Sequence, residues 1–378
     1  MLDVVVSGGG PAGLAVALRA RQRGLSVRVV DRAQPPIDKA CGEGIMPAGA
    51  AILAALGVHL PAGRTASFAG IRWIDDDSAA EARFSGESGV GVRRTVLHRA
   101  MVDAAREAGI ECVWNTSVGG PVPGGLSTPA GDVRARFVVG ADGLHSHLRR
   151  AIGLDGPAPV AGRRGIRRHF PVQPWSDCVE VYWGEHGQAY VTPVAADEIG
   201  VAILWRGAPS SFDALIQAFP AVHRRVAGLR PTSRDRGATP LQRFVRKAVA
   251  GRVALVGDAA GTADAITGDG LSMAFAEALA VVDAICQDNL SAYDEARRRL
   301  LAQPLTMTRL LLMLDRSPGL RCRVLAALAS EPGLFSRLLS MHVSGAAPWP
   351  TLLAVMPRLF WRLARPRPPA DRPGGAGA

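Results

Sequence analysis

The sequence predicts an α/β fold: a Rossmann-type domain with an inserted mixed or antiparallel β-sheet domain and a helical C-terminal tail. Three observations predict it. A short apolar run ends in Gly8-Gly9-Gly10-Pro11-Ala12-Gly13, the glycine-rich turn that joins strand to helix in a dinucleotide-binding unit. Residues 163–206 read as successive strands, with period-two alternation between turn signals. After residue 301, leucine-rich stretches are broken by Pro318-Gly319 and Pro332-Gly333, the pattern of short helices.

The elements follow in order. Residues 3–7 form the first strand. Gly8 permits a tight turn, Gly10 lets the backbone approach a pyrophosphate, and Gly13 lets helix pack on strand. The helix over residues 14–23, with Pro11 and Ala12 opening it, presents a positive N-terminus to an anion. Residues 25–30 form a second strand that closes on Asp31, eighteen residues past Gly13. An acid there bonds a ribose hydroxyl, and Arg32 lies beside it. Strand pieces over 68–74 and 81–84 flank Asp75-Asp76-Asp77-Ser78. A helix over 95–108, a strand over 110–117 and a Gly/Pro-rich hairpin or loop over 119–131 come next. Strands over 165–172, 178–183, 188–194 and 199–205 precede a helix over 211–228. Residues 1–63, 93–160 and 246–300 make the nucleotide-binding domain. Residues 64–92 and 161–245 make the inserted sheet domain. Residues 301–365 form C-terminal helices and 366–378 a disordered tail.

Composition narrows the class. The 378 residues are 48% hydrophobic and 20% charged, enough to bury a sizeable core and too apolar for general disorder. The five cysteines have no metal-ligand spacing, which reads as reduced thiols. No uncharged apolar run is long enough for a membrane span, and no secretory leader is visible. The expected location is cytoplasmic. The formal charge of +11 is concentrated after residue 301, where ten arginines face three acids. A solvated basic tail explains that excess, and peripheral membrane contact through residues 349–361 is the alternative. No nucleic-acid motif accompanies the charge, and the oligomeric state is not legible.

Two later segments repeat the strand-to-acid pattern. Residues 136–140 run into Ala141-Asp142-Gly143, and residues 252–256 into Gly257-Asp258-Ala259-Ala260-Gly261. Then come Ile266-Thr267-Gly268-Asp269-Gly270-Leu271 and a helix over 271–288. With the glycine loop, these three motifs make the first 300 residues resemble the class A flavoprotein monooxygenases, the p-hydroxybenzoate hydroxylase fold, and the related geranylgeranyl reductase branch. The resemblance implies FAD, bound non-covalently. It implies that Asp31 binds the adenosine ribose, that Asp142 and Gly143 lie near the pyrophosphate, and that Asp258 holds the ribityl chain. It places Arg94, which opens an Arg-x-x-Leu pattern with Leu97, at the phosphate or ribityl region. Gly268, Gly270 and Leu271 would meet the pyrimidine edge of the flavin, where a helix N-terminus stabilises the charge of the reduced ring. NAD(P)H would be a transient reductant and O2 a co-substrate.

The chain departs from the hydroxylase pattern at Gly261 and Ala265, where a histidine and a proline are usual. Lys39-Ala40-Cys41-Gly42-Glu43-Gly44 resembles the reductase branch's Cys-Gly segment beside the isoalloxazine. Cys41 and Gly42 are therefore expected at the ring, with Cys41 a packed small residue rather than a reactive thiol. Residues 188–193 retain one aromatic and the proline of that branch's Tyr-x-Trp-x-Phe-Pro motif. Hydroxylation of a phenolic, quinone-like or polyketide-type hydrophobic molecule of secondary metabolism is the first expectation. Double-bond reduction on a prenyl-like chain is the second, and flavin binding without turnover the third. Pocket-wall candidates on the inserted sheet are Tyr190, Thr192, Trp205, Tyr182 and His169. No residue stands out as a catalytic base, and no metal is expected.

Overall fold

The computed structural model describes residues 1–76, 78–156, 163–208, 210–239, 243–262 and 264–344. The apolar stretch 349–361, the end of the expected helical region and the expected disordered tail lie outside the described residues.

The nucleotide-binding sheet is parallel at its centre. Val253–Leu255, Gly131–Gly140, Leu2–Ser7, Val27–Val30 and Glu111–Val113 lie side by side in that order. Helices cover both faces of such a sheet, so its strands are apolar throughout rather than alternating. Val4, Val5, Val6, Val29 and Val139 are fully buried. Pro11–Gln22 packs against Arg94–Glu107 and Gly270–Cys286. Pro11 suits the first turn of its helix because the amide it lacks would have no intrahelical partner there.

The inserted sheet has the order Arg236–Ala238, Arg164–Phe170, Glu198–Trp205, Gly187–Ala195, Cys178–Trp183, Gly70–Asp75, Ser78–Arg83. It is mixed: Cys178–Trp183 runs parallel to Gly70–Asp75, and its other neighbours are antiparallel. One face buries Tyr182, Val191, Val201 and Ile203 against Phe212, Phe219 and Val222. The other face carries Val181, Trp183, Tyr190 and Leu204 against Ile266, Leu311 and Leu314. That second face looks toward the nucleotide-binding turns.

Several elements differ from expectation, each for a local reason. Thr65–Phe68 and Gly89–Val92 join Gly44–Ile45 in a separate three-stranded sheet. The chain bends at Ala69, whose amide bonds Asp177 O. The strand after Arg94–Glu107 is only Glu111–Val113, because Asn115 turns to φ 55°. The segment 211–228 breaks into Phe212–Leu215, a 3-10 turn Ile216–Ala218 and Pro220–Val226, since Pro220 cannot continue a helix. Ser291–Arg316 is one 26-residue helix that runs through Pro304. Pro318–Ser330 and Pro332–Ser344 follow, each opening on its proline. Among the described residues no helix is long and apolar enough to cross a membrane.

Candidate cofactor-binding site

Three turns leave one edge of the parallel sheet. Ser7 is in register with Gly140 and Val30, and Gly140 with Leu255. The chain therefore departs into Gly8, Ala141 and Gly257 at the carboxyl ends of adjacent strands, where ligands of open α/β sheets bind. A Cβ on Gly8 would strike Ala141 O, and one on Gly13 would strike Gly8 O. Those two glycines pack the turn. Gly10 differs: a Cβ there would meet only the Arg94 guanidinium, at 4.0 Å. Its backbone faces open space at the start of Pro11–Gln22.

The acids sit at these turns. Asp31 accepts from Gly9 N at 2.6 Å and Ala33 N at 2.7 Å, so it braces the glycine loop it was expected to extend toward a ribose. Arg32 beside it is exposed. Asp142 accepts from His147 N at 2.8 Å and Leu148 N at 3.1 Å. Its other oxygen is buried with no hydrogen-bond partner among the described residues. Asp258 lies in the 3-10 turn Gly257–Ala260 and pairs with Lys39 Nζ. Burial alone would raise the Asp258 carboxyl, but Lys39, with help from Arg94, holds it below the usual carboxylate range.

Buried groups that sequence reasoning missed hold that last turn. Glu277 accepts from Gly257 N at 2.6 Å and from Arg297 Nε at 2.9 Å. Arg297 donates to Ala260 O at 2.8 Å. From the other side Arg149, 2% exposed, donates to Ala259 O at 2.9 Å and Leu144 O at 2.9 Å. Arg149 therefore ties the segment after Gly143 to the Asp258 turn.

The loop from Ile37 to Gly44 bridges these turns to the inserted sheet. Ile37 N donates to His98 Nδ1 at 3.3 Å, and His98 Nε2 lies 2.8 Å from Gly9 O. Burial lowers the pKa of His98, which suits a neutral ring accepting at Nδ1 and donating at Nε2. Glu43 is 1% exposed and has φ 61°. Its carboxylate accepts from Arg94 N at 2.8 Å and lies 2.5 Å from His169 Nε2. Gly42 O accepts from Thr192 Oγ1 at 2.8 Å. Cys41 is half-buried and free, and burial pushes its thiol up. Its sulfur accepts from Glu43 N at 3.3 Å.

The fourth part is the start of Gly270–Cys286. Asp269 precedes it, and no side chain caps the first amides. A Cβ on Gly268, Gly270, Gly143 or Gly42 would meet nothing within 4 Å. Asp269 is 9% exposed, and burial pushes its carboxyl up to about 7, against the opposing bond from Ser272. Leu271 is half-buried against the main core.

The five pocket-wall candidates divide by face. Tyr190, Thr192 and His169 share the face toward the turns, as strand register requires. Tyr190 donates to Ile266 O at 2.8 Å. Tyr182 and Trp205 are corrected: they lie on the opposite face. Tyr182 is packed beside Phe212 and donates to Glu180 at 2.6 Å, and Trp205 donates to Ala208 O at 2.9 Å. His169 is also corrected as a wall residue, because both ring nitrogens are taken, by Glu43 and by Ser233 Oγ at 2.7 Å.

These residues fit an elongated dinucleotide. Gly10, the amides of the first helix and Arg94 make an anion cradle, and Arg94 Nε is buried without a hydrogen-bond partner among the described residues. A Cβ at 42, 143, 268 or 270 would enter open space, and the second oxygen of Asp142 is buried without a hydrogen-bond partner among the described residues. Among the described residues no cluster of metal-ligating side chains is present.

Comparison with known proteins agrees with this geometry. A family model described as an FAD-binding domain matches residues 1–303. The menaquinone reductase of Mycolicibacterium smegmatis is 26% identical over 328 residues, which cover 80% of each chain. The digeranylgeranylglycerophospholipid reductase of Methanothrix thermoacetophila is 27% identical over 331 residues, 79% of this chain and 81% of that one. Among solved structures, a flavoprotein/dehydrogenase from Cytophaga hutchinsonii has a TM-score of 0.80 at 18% identity, covering 95% of this chain and 96% of that one. The halogenase PltM bound to phloroglucinol and FAD has a TM-score of 0.72 at 17% identity, covering 89% and 79%. The extent of the family match settles the assignment, and three turns side by side at adjacent strand ends agree with it: the chain belongs to the FAD-binding family of class A flavoproteins and is an FAD-dependent oxidoreductase.

Proposed function

We propose that this oxidoreductase, driven by NAD(P)H, reduces a carbon–carbon double bond in an apolar, prenyl-like substrate. The observation that carries the reading is the placement of loop 39–44. Glu43 and Gly42 fasten it to the inserted sheet while Lys39 fastens it to the Asp258 turn. In this reading the loop borders both the cofactor and the substrate. This is the segment whose sequence resembles the reductase branch, and the reductases named above are similar along most of their length.

Bound FAD would supply hydride-transfer chemistry between NAD(P)H and one alkene carbon, the other carbon taking its hydrogen as a proton from solvent. The chain does the rest. Gly10, Arg94 and the first helix hold the diphosphate, and Asp258 holds the ribityl hydroxyls. The first amides of Gly270–Cys286 face the charge of the reduced ring. Tyr190 and Thr192 brace the two loops that flank the ring. Asp269 holds a proton up to about pH 7 at that edge.

A second reading is hydroxylation of a phenolic, quinone-like or polyketide-type molecule with O2. One observation favours it. Gln188, Tyr190 and Thr192 stand where the reductase motif has Tyr, Trp and Phe, and all three side chains are spent on ties to other elements. Anaerobic incubation with NADPH and a prenylated quinone separates the readings. Reduction predicts a product heavier by two hydrogens, formed without oxygen. Turnover that needs oxygen and adds one oxygen atom to a phenol would replace the first reading with the second.

A further inference from the structure

A buried polar cluster outside the turns reaches the flavin edge from a helix that begins inside the matched family region and ends beyond it. Arg163 is 2% exposed. Its Nε donates to Asp264 Oδ2 at 3.2 Å, its Nη2 pairs with Asp264 Oδ1, and its Nη1 donates to Gln188. Nη1 also lies 3.6 Å from Asp315 Oδ2. Asp315, 1% exposed, takes Gln188 Nε2 and lies 2.8 Å from Arg206 Nη2. It sits near the end of Ser291–Arg316, past residue 303 where the family match stops.

Asp264 is the hinge of the arrangement. Its Oδ1 caps the 3-10 turn Ala265–Thr267 by accepting from Ile266 N at 3.0 Å. Ile266 O in turn accepts from Tyr190. Two residues later Gly268 turns to φ 68°, and Gly270–Cys286 begins. The aim of that helix's first amides therefore depends on where Arg163 holds Asp264. Two arginines and two acids share the cluster, so its formal charges cancel and each ion has a partner. Removing one would leave an uncompensated buried charge.

We propose that Arg163 and Asp315 are positioning residues for the flavin edge: the end of Ser291–Arg316 sets, through Arg163 and Asp264, how the first amides of Gly270–Cys286 face the ring. The inference rests on the FAD site described above and is independent of whether the substrate is reduced or hydroxylated. Arg163→Lys keeps the charge and loses the fork that grips both acids. Asp315→Asn keeps the shape and removes a charge. Tyr190→Phe removes only the bond to Ile266 O.

The test is FAD titration together with the visible spectrum, reduction potential and thermal midpoint of each loaded variant. Arg168→Lys serves as a control, because Arg168 pairs with Asp213 and Asp235 on the far face. Arg163→Lys and Asp315→Asn are expected to retain one FAD per chain, with affinity lowered less than tenfold. Their flavin spectra should change and their potentials move negative, because the reduced ring loses aligned donors. Tyr190→Phe should shift both in the same sense by less, and the control should shift neither. Spectra and potentials equal to wild type, with only the melting point lowered, would overturn the proposal. If Arg163→Lys does not fold, the two milder variants decide by the same criteria. Wild-type protein that takes up no flavin would overturn the FAD reading itself, a result distinct from failure of the positioning role.

Discussion

Lys39 and Asp258 form an ion pair between the loop that borders the inserted sheet and the turn at the end of the last parallel strand. Both side chains are two-fifths exposed, so in isolation the pair is worth no more than ~1 kcal/mol. Its importance is location, because cation and acid face the groove where a diphosphate and a ribityl chain would lie. Asp258→Ala is expected to weaken FAD at least tenfold in a fluorescence-quenching titration. Lys39→Met should weaken it by about threefold to tenfold, less at high salt because the contribution is electrostatic. Unchanged affinity in Asp258→Ala would remove that residue from the site.

Two glycines of one motif should respond oppositely to a methyl group. Gly13→Ala places a Cβ on Gly8 O and is expected to cost several kcal/mol of stability, on the order of an overpacked core. Gly10→Ala has room and an ordinary extended backbone, φ −70° and ψ 176°. It should fold within ~1 kcal/mol of wild type yet lose FAD affinity, because the methyl fills the anion cradle. Urea unfolding of both variants beside FAD titration checks this. Equal losses of stability would contradict the division of roles.

Glu43 joins three groups from two other segments. Its carboxylate meets Arg94 N, His169 Nε2 and Arg167 Nε, while Arg167 continues to Asp38, which also takes Arg236. Glu43→Ala leaves buried donors without an acceptor and is expected to cost about 3–5 kcal/mol in denaturant unfolding. A loss below ~1 kcal/mol would show that the network does not hold the loop.

Asp269 provides a pH test that needs no cofactor. Its folded-state pKa, about 7, lies above the usual value of 3.8. Between those values the native state holds a proton that the unfolded chain releases, so stability falls as pH rises from about 4 to 7 and then levels off. Asp269→Asn mimics the protonated acid. It should match wild type near pH 4 and exceed it at pH 8, by on the order of 4 kcal/mol. A stability difference independent of pH would contradict the buried acid.

Cysteine labelling follows burial. Cys286 is exposed, whereas Cys41 is half-buried with its thiol pushed up by burial. Alkylation at pH 8 should reach Cys286 well before Cys41, because the thiolate is the nucleophile. Rapid first labelling of Cys41 would indicate an activated thiol.

What the sequence revealed was local in the chain. Gly8 to Gly13, Asp31, the 141–143 segment and the Gly257–Ala260 turn are each short motifs between apolar runs, and strand-to-helix patterning placed them at one sheet edge. The face of the inserted sheet was partly legible: alternation grouped Gln188, Tyr190 and Thr192, but could not say which face met the cofactor domain. Tyr182 and Trp205 fell on the wrong side for that reason. The hidden part is made of long-range pairs. Glu43 meets His169 across 126 residues, and Gln188 meets Asp315 across 127. No periodicity relates such positions; only the packing of a loop and a helix against the inserted sheet brings them together. Hydroxylation is the first expectation from the motifs, and the reduction proposed above rests on loop 39–44, which is tied both to the Asp258 turn and to the inserted sheet.

One dinucleotide is proposed to lie across three strand-end turns, its adenosine at Asp31, its diphosphate at Gly10 and its ring at the start of Gly270–Cys286. Release of the bound flavin by denaturation, followed by chromatographic identification and quantification, tests it most directly. One FAD per chain is expected, with FMN unable to compete at equal concentration because it lacks the adenosine half. A protein that carries no flavin, or holds FMN as tightly as FAD, would contradict it.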